Sequence, residues 1–283
     1  MIRSFKEFLP YILVVFGFII ISLAYFSPVL QGKEIFQSDI VQYTGMAKQQ
    51  NDFRAKNDKE PYWTNAAFGG MPTYQLGANY PHNYIKKIDS ILRFLPRPAD
   101  YLFLYFIGFY ILLLVLKLDY KLAFLGAIAF GFSTYLIIIL GVGHNSKAHA
   151  IAYMPMVLAG ILLCFRNKNI GGFLLLTFAM ALEIGANHFQ MTYYLLLLVI
   201  IVGIVYLIDA YKKKQLPKYF KALGVMVFAV FLAVGMNATN LLATQQYAAF
   251  STRGDTGITI NPDETPKTSD GLNFEYITQY SYG

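Results

Sequence analysis

A single cysteine, Cys164, stands in a chain of 283 residues, which excludes a disulfide framework and a cysteine-built metal site. Charge is scarce as well: Asp, Glu, Lys and Arg make up 14% of the residues, against about 25% in an ordinary soluble domain. No G-x-x-x-x-G-K-[ST] loop, no G-x-G-x-x-G opening a helix after a strand, no H-E-x-x-H and no G-x-S-x-G is present. Nucleotide-driven transport, cytosolic nucleotide-sugar binding and serine hydrolysis therefore lose support. No internal repeat is visible, which removes one common pointer to a secondary transporter.

What the chain has in abundance is apolar sequence. Hydrophobic residues make up 56% and the mean hydropathy is +0.46, values expected of a multi-span membrane protein. The net charge of +7 does not point to nucleic acid, because the basic residues mostly sit in short loops between apolar runs.

Seven such runs are expected to span: Leu9 to Leu30, Tyr101 to Leu116, Leu122 to Leu140, Ala150 to Phe165, Ile170 to Glu183, Thr192 to Ile208 and Ala222 to Leu242. The first follows Arg3 and Lys6 but is too long for a signal-peptide core and has no A-x-A site after it, so it reads as an uncleaved anchor. Pro155, Gly160, Gly171 and Gly172 interrupt the fourth and fifth runs, which predicts tilted, partly buried or re-entrant segments there.

The loops give an orientation. One set carries Arg3, Lys6, Lys117, Lys121, Arg166, Lys168 and the lysines at 212, 213, 214, 218 and 221, while the other carries little beyond Lys147. The positive-inside rule then places the N-terminus in the cytoplasm and the first loop, residues 31–98, outside. The same path puts Asp39, the segment Gly141 to His149 and the turn Glu183 to Gln190 on the external side, so an active site is expected there.

The first loop is too polar to cross a bilayer. Ser38 to Asp52 and Tyr84 to Leu95 both read as amphipathic helices in the interface, the second with Ile85, Ile88, Ile91, Leu92 and Leu95 on one stripe. Between them, Trp63 precedes the turn-forming Gly69-Gly70-Met71-Pro72 and can either pack on a sugar face or sit in an aromatic belt at the headgroups.

Several polar residues in this external set can carry chemistry. Asp39 can act as a general base, and it can equally cap a helix through backbone N–H groups. His144, Lys147 and His149 stand at the mouth of the fourth span, where a lipid phosphate would sit; the two histidines are five apart, not the i, i+4 pair of a helical metal site. His188 reads similarly. Glu183, near the end of an apolar run, needs a partner or a cavity and would face Asp39, a histidine or a neighbouring span. Arg253 can pair with phosphate or, with Asp255, be a solvated loop charge. The sequon at Asn237 falls inside the seventh run and is discarded.

Asp39 after the first span, the stretch Trp63 to Pro72, and Gly143-His144 leading to Pro155 together resemble the YfhO-type bacterial membrane proteins of the GT-C glycosyltransferase superfamily. The resemblance implies a helical inner-membrane enzyme that moves a sugar from a polyprenyl-phosphate carrier to an extracytoplasmic acceptor. It implies Asp39 as catalytic base or as a contact for a divalent metal, Mg or Mn. Many members have two adjacent acids here, whereas Ser38 and Ile40 flank a lone Asp39. Members are also longer, so residues 1–244 are expected to form the transmembrane GT-C-like module, and 245–283, ending in Gln279 to Gly283, the start of an external region that continues beyond this chain.

The expectation is thus an all-α polytopic protein of about seven transmembrane helices, with Asp39 as catalytic residue and possible metal contact, and Trp63, His144, Lys147, His149, Glu183 and His188 as substrate-binding candidates. Its partners would be membrane lipids and the lipid-linked sugar donor, not nucleic acid. Two other classes remain in view: a transporter or flippase for a lipid-linked or amphipathic solute, and a non-catalytic scaffold for envelope assembly. The mid-span residues are mostly apolar, with Ser22, Ser133, Thr134 and Thr177 as exceptions, which favours a one-sided site.

Overall fold

The apolar run after Lys6 folds as helix α1 (Phe5–Tyr25) in the computed structural model, which describes residues 5–250 and Thr278. Arg3, Arg253, Asp255 and the chain end Gln279 to Gly283 lie outside the described residues. α1 stops short of Leu30, because Pro28 falls in a 3-10 turn that closes at Gly32 with φ +74°. The remaining apolar segments form α5 (Ala99–Val115), α6 (Tyr120–Gly131), α7 (Thr134–Val142), α8 (Asn145–Phe165), α9 (Asn169–Gly185), α10 (Phe189–Lys212) and α11 (Leu216–Met236).

Four of these, α1, α8, α10 and α11, are each long and apolar enough to cross a membrane. The pair α6 and α7 would add a fifth, and α5 and α9 are apolar but only 17 residues long. Large apolar side chains stay uncovered on the outer helices, such as Ile20 at 64%, Ile201 at 60% and Phe231 at 70% exposure. Water would not tolerate such a surface, and lipid does. The protein is an all-α, membrane-embedded chain.

Two of the expected runs are not single helices. The third is broken at Phe132-Ser133, where Ser133 takes an extended conformation and the axis bends by 50° between α6 and α7. The seventh ends at Asn237, whose buried amide donates to Ala181 O at 2.9 Å and Ala233 O at 3.0 Å, before α12 (Ala238–Ala248) begins. That burial agrees with discarding the sequon. The chain divides into two compact units, residues 1–239 and 240–283, and α12 supplies most of what is described of the second.

α8 is the centre of the first unit: 72% of its spanning window is buried, against 11% for α10. It packs between α5 and α9, and α9 in turn packs on α11. Glycines allow these close crossings. A Cβ on Gly160 would lie 2.7 Å from Leu176 N, one on Gly172 would lie 2.7 Å from Cys164 N, and one on Gly108 would collide with Ala152 O. Without a hydrophobic drive between helices in lipid, such small-residue contacts supply the packing. Gly160 and Gly172 therefore join helices where the sequence suggested interruption, and Pro155 sits inside an unbroken α8.

In the first loop, the segment expected as one helix from Ser38 to Asp52 is two, α2 (Ser38–Met46) and α3 (Lys48–Asn57), meeting at the fully buried Ala47. A short antiparallel hairpin pairs Trp63 with Pro72 and Thr64 with Met71. α4 (Tyr84–Leu92) then docks on the bundle: Ile85 and Leu95 are buried in the main core, with Ile88 and Leu92 packed against it, while Ile91 is 72% exposed. Its contact with α9 makes it a bracket on the helices as well as an amphipathic segment.

Candidate active site

Gly143 sets the geometry at the external mouth. It ends α7 with φ +91°, and a Cβ there would come within 2.8 Å of the Gln37 side chain. Gln37 uses that space to donate from Nε2 to Leu140 O at 2.6 Å, which ties the start of α2 to the turn between α7 and α8. Gln37 is the N-cap residue of α2, without a side-chain cap hydrogen bond, and Asp39 sits in the first turn of that helix. The Asp39 carboxylate instead accepts from His144: Nδ1 lies 2.7 Å from Oδ2 across 105 positions of chain. Both side chains are about half exposed.

Lys147 lies in the first turn of α8, with Nζ 5.5 Å from the Tyr135 ring centroid. His188 stands at the start of α10, its Nδ1 buried and without a hydrogen-bond partner among the described residues. Burial pulls the His188 pKa below its ordinary value, and the charges of Lys147 and His144 add to the effect. Asp39, His144, Lys147 and His188 thus come from three separate segments to one region.

Beside the pair lies a cavity of about 340 Å³, whose lining includes Lys33, Glu34, Gln37, Ile40, Arg97 and Asn145. Asn145 Nδ2 is buried there with no acceptor among the described residues. Nothing in the sequence singled out Lys33, Arg97 or Asn145, since they look like ordinary loop and cap residues until the turns bring them together.

The other candidates lie elsewhere. His149 is buried, and its Nε2 is committed to Asp89 Oδ1 on α4. Tyr153, one turn further along α8, donates to the same oxygen at 2.8 Å. Arg93 donates from Nε to Asp89 Oδ2 at 2.9 Å and reaches Asp100 Oδ2 at 3.4 Å. Burial pushes the Asp89 carboxyl up, but the hydrogen bonds and charges of His149 and Arg93 outweigh it and hold the pKa down at about 2. The same two carboxylates hold the Arg93 guanidinium above its ordinary value against the effect of burial. This network fastens α4 to α8. It was legible in part, because Asp89 falls on the apolar stripe between Ile85, Ile88 and Leu92, a position where a carboxylate needs a partner.

Glu183 is fully buried in α9 and accepts from Thr192 Oγ1 of α10 at 2.9 Å. Its hydrogen-bond partner is thus a neighbouring apolar helix, not Asp39 or a histidine. Trp63 lies on the hairpin, with Nε1 donating to Asn65 Oδ1 at 2.9 Å and the ring stacked over Gly70. Thr64 Oγ1 donates to Gln49 Oε1 at 2.6 Å, which attaches the hairpin to α3. Trp63 is 57% exposed.

Among the described residues no group of three or more His, Cys, Asp or Glu side chains is placed to share a metal ion. Asp39 and His144 are two possible ligands, and they engage each other. Comparison of the chain with family models, with curated proteins and with solved structures finds no match.

Proposed function

We propose that this protein is a membrane glycosyltransferase of the GT-C kind, related to the YfhO-type proteins, moving a sugar from a polyprenyl-phosphate carrier to an extracytoplasmic acceptor. The observation that carries the reading is the Asp39–His144 pair, a carboxylate and an imidazole 2.7 Å apart and open to solvent beside a cavity with two cations. In this reading seven helical segments span a bacterial inner membrane, with α6 and α7 as one bent span, the N-terminus in the cytoplasm and the first loop outside.

The chemistry needs a base for the acceptor hydroxyl and positive charge for the departing phosphate. With its proton on Nδ1, His144 donates to Asp39 and leaves Nε2 free to take the acceptor proton, while the carboxylate fixes that tautomer and balances the imidazolium that forms. The acceptor oxygen then bonds to the anomeric carbon as the bond from that carbon to the phosphate oxygen breaks, and the phosphate leaves with the electron pair. Lys33, Arg97 and the unpartnered Asn145 amide are the groups for that phosphate, and Lys147 and His188 line the approach. Trp63 is the candidate for packing on the acceptor.

The test is sugar transfer from radiolabelled polyprenyl-phosphate sugars in membranes holding equal amounts of parent or Asp39→Asn protein. Transfer that collapses in the variant supports the enzyme. Transfer by both alike removes Asp39 from the chemistry, and failure of every donor with the parent moves the assignment to a transporter of lipid-linked solutes.

A further inference from the structure

About 30 Å along α8 from His144, the length of a 21-residue helix, a second cavity opens at the other end of the bundle. It encloses about 750 Å³ between the last turns of α5 and α8. Its wall is apolar, with Ile111, Leu114 and Leu163, and its rim is Lys117, Arg166 and Lys168, with no carboxylate in the lining among the described residues.

Helix C-termini attract cations through the dipole, but that accounts for only part of this cluster. The closing carbonyls are already used: Leu112, Leu113 and Leu114 accept from the backbone N–H groups of 116, 118 and 117, and Leu162, Leu163 and Cys164 accept from those of 166, 168 and 167. Lys117 at φ +66° and Asn167 at φ +59° are the left-handed residues that make these two parallel turns. Arg166 gives Nη1 to Val115 O, joining the turns, and keeps its other N–H groups. Lys117 and Lys168 are exposed and make no ion pair among the described residues. Three cations therefore surround an apolar cleft at the end of these helices; Arg166 also joins the two turns, while Lys117 and Lys168 make no contact among the described residues that would account for them.

We infer that this cleft binds the headgroup of an anionic phospholipid, with Lys117, Arg166 and Lys168 on the phosphate and one acyl chain along Ile111, Leu114 and Leu163. The charge selects an anion, the apolar wall selects a lipid over a free anion, and basic pockets between helices at a bilayer face are where such headgroups bind. The inference is independent of the proposed transfer chemistry, which lies at the opposite end of α8.

The test is binding of dioleoyl-phosphatidylglycerol and of dioleoyl-phosphatidylcholine to the full chain in detergent, by native mass spectrometry. The control is the double variant Lys117→Asn, Lys168→Gln. Asparagine tolerates the left-handed backbone at 117, and Arg166 is kept because it holds the two turns together. The expected result is tighter binding of the anionic lipid by the parent, and a loss of about 30-fold in the variant, roughly fivefold per cation, with phosphatidylcholine unaffected. Equal binding of the two lipids by the parent overturns the inference without recourse to the variant. So does full retention by a folded variant, or displacement of the lipid by glycerol phosphate at equal concentration, which would mean that the apolar wall contributes nothing.

Discussion

Asp39 Oδ2 and His144 Nδ1 meet at 2.7 Å only because Gly143 leaves room for Gln37, and Gln37 carries the start of α2 onto the α7–α8 turn. The pair is half exposed, and an ion pair in that setting contributes between zero and about 1 kcal/mol to stability. The pair is therefore hard to ascribe to folding, and its loss should separate stability from activity. Asp39→Asn and His144→Gln should each lower sugar transfer by about 100-fold or more while leaving the melting temperature of the solubilised protein within about 4 °C of the parent. A large drop in melting temperature in either variant would make the pair structural.

Gly143→Val tests the same assembly from beneath. A β-branched side chain at φ +91° is strained in itself, and its Cβ would start within 2.8 Å of Gln37. The start of α2 should lift from the turn and take Asp39 with it. Transfer should fall as far as in Asp39→Asn, with a stability loss of about 1–3 kcal/mol, read by activity and denaturation on the same preparation. Gln37→Ala, which removes only the bond to Leu140 O, should give an intermediate activity.

The Asp89 network predicts an acid-sensitive bracket. Its carboxyl is held at about 2 in the folded protein, against 3.8 for an unperturbed group, so folding favours the ionised form. The stabilisation is complete above about pH 4 and is lost as the pH falls toward 2. Parent protein should show a falling melting temperature across that window, and Asp89→Asn should flatten it. Asp89→Ala should cost about 3–5 kcal/mol at neutral pH by leaving His149 buried without its partner and the half-buried Arg93 with only the longer contact to Asp100. A parent whose melting temperature is unchanged from pH 5 to 2 would show that the carboxylate is not the group that fastens α4.

The sequence made much of this readable. Apolar runs and basic loops were enough for a helical membrane protein, because a bilayer imposes length and hydropathy on whatever crosses it. Asp39 and His144 were both nominated, although as separate candidates, since their pairing depends on a contact 105 positions apart. What the sequence hid has physical causes. Glu183 and His149 carry the same polar signal whether they face substrate or each finds a buried partner, and only the packing of α10 and α4 decides that they meet Thr192 and Asp89. The break at Phe132-Ser133 has no proline or glycine at its centre, so hydropathy ran straight through it. Gly160 and Gly172 look like interruptions in a linear reading and become contact points only when α8 lies against α9.

Those glycines give the last prediction. A Cβ at Gly160 would lie 2.7 Å from Leu176 N and 2.8 Å from Leu176 Cα, and backbone atoms cannot rotate away as a side-chain tip can. Gly160→Ala must therefore move α9 relative to α8, and α9 carries Glu183 near one end. Overpacking of this kind costs about 1–3 kcal/mol, while the intrinsic helix propensity of alanine would favour the substitution by up to about 1 kcal/mol. The steric term should win, giving net destabilisation. Gly171→Ala, in the first turn of α9 beside Gly172 and facing open space, feels only the propensity and should be neutral or slightly stabilising. Thermal denaturation of the two variants in detergent checks the contrast. If Gly160→Ala proves as stable as Gly171→Ala, α8 and α9 do not cross at these glycines.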